Sequence, residues 1–129
     1  MDFRKSQTLF ARAEKCMPGG VSSPVRAFKA VQGSPLYFEH AEGARFVDAD
    51  GNRLLDFCMS WGPLILGHAH PQVVRAVTQA ASQGLSFGAC CKAEIELAEL
   101  ILSGFPTMDQ VRFTSTGTEA VMTAIRLAR

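Results

Sequence analysis

Val111-Arg112-Phe113-Thr114-Ser115-Thr116-Gly117-Thr118-Glu119-Ala120-Val121-Met122-Thr123-Ala124-Ile125-Arg126-Leu127-Ala128-Arg129 decides how the chain is read. Its first four residues read as a strand and Ser115-Thr116-Gly117 as a small-residue turn. Val121, Ala124, Ile125 and Ala128 then recur at the spacing of a helix with one buried face. Thr116 and Glu119 stand at capping-box spacing: the hydroxyl takes an orphan amide of the first turn and the carboxylate reaches back to the cap, so the helix starts at about Gly117. A strand feeding a helix through such a turn aims unpaired N–H groups and the positive dipole end at one spot, where a phosphate group can sit. The hydroxyls of Ser115, Thr116 and Thr118 add donors. The same residues serve equally a well-capped helix that binds nothing. There is no G-x-G-x-x-G and no Walker-type lysine, so a dinucleotide or nucleoside triphosphate is not indicated.

Upstream, two further helices are expected. Pro71 at a first helical position leads into Val73, Val74, Val77, Ala80 and Ala81, and Gly84 closes the pattern. After the loop Leu85 to Cys91, a second helix buries Ile95, Ala98, Ile101 and Leu102, turns Glu94, Glu96 and Glu99 outward, and stops at Gly104 before Pro106. Further back, Leu36–His40, Arg45–Val47 and Leu54–Cys58 read as short strands separated by turn-rich segments. Asp50-Gly51 is a hairpin signal, and together these make an antiparallel meander that needs a partner layer. Gly19 to Gly33 is irregular and carries one guanidinium, Arg26. Residues 3–16 form a short amphipathic helix that docks on a larger body or a second subunit. The order predicts an α/β protein: an N-terminal helix and small antiparallel lobe over residues 1–60, then over residues 61–129 the start of a larger α/β lobe. The chain reaches Ala128-Arg129 among good helix formers with no closing signal, so a longer polypeptide is expected.

Composition narrows the class. With 129 residues, a formal net charge of +1 and charges of both signs interspersed, the chain has no basic block for nucleic acid. No run approaches the about 18 apolar residues of a membrane span. Met1 to Ser6 lack the apolar core of a secretory signal, and the early acids Asp2 and Glu14 do not suit a transit peptide, so a cytoplasmic protein is expected. The cysteines Cys16, Cys58, Cys90 and Cys91 are sparse and two are adjacent, which suits reduced thiols.

Few isolated residues carry chemistry on their own. His68 and His70 lack the third and fourth ligands of a zinc site and read as turn residues before Pro71. Asp48 and Asp50 resemble the start of a calcium loop, but the closing glutamate is absent and a hairpin turn fits better. Cys90 and Cys91 have only Lys92 nearby to lower a thiol pKa. Arg26 has the planar fork that clamps a carboxylate, although a lone loop arginine is commonly a surface residue. Trp61 is by default a core or interface residue.

Taken in order, six segments add what spacing does not. They are Ser23-Pro24-Val25-Arg26-Ala27-Phe28, Glu42-Gly43-Ala44 with Asp48-Ala49-Asp50-Gly51-Asn52-Arg53, Ser60-Trp61-Gly62-Pro63, Gly67-His68-Ala69-His70-Pro71, Leu85-Ser86-Phe87-Gly88-Ala89 and Gly117-Thr118-Glu119-Ala120. In this order the chain resembles the class-III pyridoxal-phosphate-dependent aminotransferases, and its first and third segments resemble the glutamate-1-semialdehyde aminomutase family within that group. The resemblance implies the N-terminal part of a fold-type-I enzyme that is a homodimer with a shared site. It implies that Thr116, Gly117 and Thr118, with Ser115, hold the phosphate of pyridoxal or pyridoxamine 5'-phosphate. It implies that Arg26, helped by Ser23, binds the substrate carboxylate and that Trp61 sits by cofactor and substrate. The implied reaction moves an amino group within glutamate-1-semialdehyde to give 5-aminolevulinate for tetrapyrrole synthesis. Ser115 stands where the family commonly has Asn, and Cys90 where it often has Pro. The Schiff-base lysine of the family matches none of Lys5, Lys15, Lys29 and Lys92 and is expected beyond residue 129, which would leave these residues alone inactive. Two other readings stay open: a class-III aminotransferase using an external amino donor, and a non-catalytic dimerisation segment.

Overall fold

Helix α1 (Arg4–Ala13) forms at the expected place, but its cap comes from far away in the chain. The N-cap residue Phe3 supplies no capping side chain; Asp2 accepts from the Arg4 amide at 3.1 Å, and the Asp50 carboxylate accepts from the Lys5 amide at 2.7 Å and the Ser6 amide at 2.9 Å. A negative group on the first-turn amides satisfies orphan donors and complements the dipole together. Burial pushes the Asp50 carboxyl up, and its bonds from Ser6 and Lys5 outweigh that and hold it below the ordinary range. Ser6 is fully buried, and its hydroxyl accepts from the Tyr37 amide at 3.4 Å, which ties α1 to the sheet.

The computed structural model describes residues 1–129, which divide into two compact units, Met1–Gln83 and Gly84–Arg129. In the first unit, strands β1 (Phe38–Glu42), β2 (Arg45–Asp48) and β3 (Arg53–Leu55) form the expected antiparallel meander in the order β1-β2-β3. The first strand begins two residues later than its sequence suggests, and an irregularity in register lies between Phe38 and His40. β3 stops at Leu55 rather than Cys58, because the Asp56 side chain turns the backbone there by accepting from the Cys58 and Met59 amides. The turn between β2 and β3 is built on Asp48, 1 % exposed, whose carboxylate accepts from the Asp50 amide and from the amide and side chain of Asn52. Gly51 there has φ +86°, a conformation that costs glycine little. These bonds give Asp48 and Asp50 their structural roles.

Between Ala13 and β1 the chain runs through three short 3-10 turns, Pro18–Gly20, Pro24–Ala27 and Lys29–Val31. The buried apolar residues are small: Ala13, Ala27, Pro35 and Ala49. Helix α2 (Pro71–Gln83) starts on its proline and ends before Gly84, at φ +129°, as the sequence predicts. In the second unit, α3 (Lys92–Gly104) and α4 (Gly117–Leu127) also have the expected limits.

The stretch Val111–Thr114 departs from expectation. It takes no strand pairing, because a strand exists only as a member of a ladder and the sheet of this chain is the β1–β3 meander. The helices share the consequence. The apolar faces of α2, α3 and α4 form at the predicted spacing but hold no buried residue; Val77 is 62 % exposed and Val121 60 %. The second unit has no sheet for α3 and α4 to cover.

Candidate functional site

Two places carry the predicted site residues, one in each unit. In the first unit an apolar-walled cleft of about 710 Å³ is lined by Arg26, Phe28, Tyr37, Phe46, Asp56 and Trp61 among others. Arg26 is delivered by the Pro24–Ala27 turn. Pro24 presets the first φ, the Arg26 amide donates to the Ser23 carbonyl at 2.9 Å, and Phe28 at φ +56° ends the turn. The guanidinium makes no ion pair and no side-chain hydrogen bond within the chain, so all five of its donors are available. Ser23 is half-buried and does not line the cleft, whereas its neighbour Ser22 does. Its bond to Arg26 is through the backbone carbonyl.

Trp61 reaches the cleft on an unusual backbone. Met59, Ser60 and Trp61 have φ of +48°, +54° and +65°, and Gly62 follows at +119°. For a residue with a Cβ each left-handed placement costs on the order of 1 kcal/mol, so the run persists only where its surroundings hold it. Asp56 does so. One carboxylate oxygen accepts from the Cys58 amide at 2.8 Å and the Met59 amide at 2.9 Å, and the other lies 2.6 Å from His68 Nε2. The His68 bond, followed by the two amides, outweighs the opposing effect of burial and holds the Asp56 carboxyl below its ordinary value. His68 is itself fixed: its amide and carbonyl pair with Gly43 at 2.8 and 2.9 Å, and its ring lies 4.8 Å from that of Phe46. His68 therefore does more than shape the turn before Pro71, and neither histidine belongs to a metal-binding cluster. The four cysteines are free.

The second place is the start of α4. Both halves of the capping box form: Thr116 Oγ1 accepts from the Glu119 amide at 3.1 Å, and Glu119 Oε2 accepts from the amides of Thr116 at 3.0 Å and Ser115 at 2.9 Å. The Gly117 and Thr118 amides have no acceptor in the chain, nor do the hydroxyls of Ser115 and Thr118. A Cβ built on Gly117 meets nothing within 4 Å, so no neighbour in the chain requires glycine there. Open amides and hydroxyls with free space beside them fit a phosphate group. The fit is narrower than spacing suggests, since the Ser115 and Thr116 amides are already taken by Glu119.

Arg26 and Trp61 are thus brought to one cleft, Ser23 stands behind it, and Ser115 to Thr118 lie in the other unit. Sequence reasoning missed Asp56 and His68. They are 12 positions apart across a strand end and a loop, so no periodicity links them.

Comparison with known proteins places this architecture. Residues 28–129 match the family described as aminotransferase class-III, and the chain belongs to the class-III aminotransferases. Within that class, the glutamate-1-semialdehyde 2,1-aminomutase of Syntrophomonas wolfei is 55% identical over 129 residues, which is 100% of this chain and 30% of that protein. The enzyme of the same name from Desulforudis audaxviator is 58% identical over 128 residues, 99% of this chain and 30% of its own length. The chain thus spans about 30% of the length of these curated relatives. Among solved structures, a transaminase with PLP bound superposes with a TM-score of 0.91 at 43% identity, covering 100% of this chain and 30% of that one. A glutamate-1-semialdehyde aminomutase from Pseudomonas aeruginosa superposes at 0.82 over 98% of this chain and 27% of its own, and at 22% identity it bears on the fold alone. The small antiparallel lobe followed by helices is the architecture of the matching part of such enzymes.

Proposed function

We propose that this chain is the N-terminal part of a glutamate-1-semialdehyde 2,1-aminomutase, an isomerase that moves an amino group within its substrate to yield 5-aminolevulinate for tetrapyrrole synthesis. The observation that carries the reading is the meeting of two segments, Ser23–Phe28 and Ser60–Pro63, whose Arg26 and Trp61 line one cleft. The 55–58% identity to proteins of that name over nearly the whole chain supports it. Pyridoxal or pyridoxamine 5'-phosphate, when bound, supplies the exchangeable amine and the electron sink.

The residues of this chain bind and orient. Arg26 holds the substrate carboxylate by a charge-assisted, two-pronged contact, with Ser23 fixing the turn that presents it. Trp61 and Phe46 make an apolar wall that keeps bulk water from the reacting groups. The Gly117 and Thr118 amides, with the hydroxyls of Ser115, Thr116 and Thr118, would hold the cofactor phosphate and so anchor the cofactor. Ser115 is shorter than the asparagine common in the family and would reach less far toward the cofactor. The Schiff-base lysine that the resemblance implies matches none of Lys5, Lys15, Lys29 and Lys92. Residues 61–129 open the cofactor lobe, two subunits share the site, and the protein works in the cytoplasm.

A transaminase acting between two substrates is the second reading, favoured by the 43% identity to a solved transaminase. The two separate on one assay of the complete protein. An aminomutase converts glutamate-1-semialdehyde to 5-aminolevulinate with no added amine or 2-oxo acid; turnover that requires both added partners overturns the proposal.

A further inference from the structure

We propose that Asp56 and His68 form a positioning unit for substrate recognition, holding the left-handed run Met59-Ser60-Trp61 so that the Trp61 ring is fixed as a wall of the cleft that contains Arg26. The inference rests on the aminotransferase reading of that cleft, and it assigns work to two residues that touch no reacting atom.

Trp61 is 78 % exposed, so packing against its own unit does not set where its ring lies. Its direction is set by its backbone, and three successive residues there stand at positive φ with a Cβ to accommodate. Such a run relaxes unless it is tied down. The ties run through Asp56, which binds the amides at the start of the run and His68 Nε2 with its two oxygens. His68 cannot follow a relaxing loop, because its backbone is bonded in both directions to Gly43. Gly67 packs against Gly43 so closely that an added Cβ would lie 2.9 Å from the Gly43 Cα. The sheet thus anchors His68, His68 and Asp56 anchor the run, and the run aims Trp61. A mobile ring weakens binding of a bound acid more than it slows chemistry, because ordering the loop is then charged to the binding step.

The test is a double-mutant cycle on the complete, cofactor-loaded enzyme. His68→Leu removes the donor to Asp56, His68→Gln keeps an N–H near it, and Met59→Val raises the cost of the first left-handed residue of the run, because a β-branched side chain tolerates positive φ least, without touching the cleft. Expected are a KM raised about five- to tenfold in H68L and M59V with kcat within about twofold of wild type, and KM near wild type in H68Q. In a W61F background H68L and M59V should add little to KM. Emission of Trp61, isolated by subtracting W61F, should be quenched more readily by acrylamide in H68L and M59V. If H68L does not fold, M59V alone decides. Additive effects in the W61F background, or an M59V enzyme with unchanged KM and unchanged quenching, overturn the inference. A wild-type enzyme that needs an external amino donor overturns the aminomutase reading instead and leaves this cycle to be run on the substrate it does use.

Discussion

On the proposed function, substrate choice turns on Arg26. Its guanidinium is unpaired within the chain and borders an apolar cleft, so a carboxylate entering there gains a charged hydrogen bond that no other group of the chain contests. Loss of such a bond costs about 1.5–3 kcal/mol, so Arg26→Ala should raise KM for glutamate-1-semialdehyde roughly tenfold to a hundredfold. Steady-state kinetics of the complete enzyme measure this, and an unchanged KM contradicts the assigned role. Asp56 gives a pH prediction at the same scale. Its folded-state pKa lies below the unfolded one, so its contribution to stability is fully present above the ordinary carboxyl range and is lost as pH falls through the lowered value. Melting temperature should therefore fall with acidification below about pH 4 more steeply in wild type than in Asp56→Asn, and parallel profiles would refute the assignment. Arg26 and Trp61 were singled out because a resemblance named them, and the structure brings both to one cleft. The pair behind Trp61 was not, since its partners come together only when the meander and the loop before α2 fold.

Among elements, α4 is the one whose sequence is most fully realised. A capping box is a local object, closed by residues three positions apart, and both of its bonds form as spacing predicts. Glu119→Ala should cost about 1 kcal/mol and speed amide exchange at Ser115 and Thr116, which lose their acceptor; hydrogen exchange of the complete protein reads this out. The limits of α2 and α3 were likewise legible, because proline and glycine act on the backbone at their own positions. Helix α1 shows the limit of local reading. Its existence follows from periodicity, yet its cap is Asp50, more than forty residues on, which local spacing marks as a turn residue and nothing more. Val111–Thr114 fails for the complementary reason: its composition suits a strand, but a strand needs a neighbour that these residues do not supply.

At the scale of the whole molecule, the buried apolar residues are three alanines and a proline and the faces of α2, α3 and α4 are open, while the curated relatives are more than three times as long. Residues 1–129 expressed alone should bind a hydrophobic dye and melt without a cooperative transition; a sharp two-state transition of the monomer would show that the open faces need no further partner. The central claim, that the start of α4 holds the phosphate of a vitamin B6 cofactor, is tested most directly by a crystal structure of the complete protein with pyridoxamine 5'-phosphate. The account predicts phosphate oxygens within hydrogen-bonding distance of the Gly117 and Thr118 amides. A phosphate seated elsewhere, with those amides left to solvent, contradicts it.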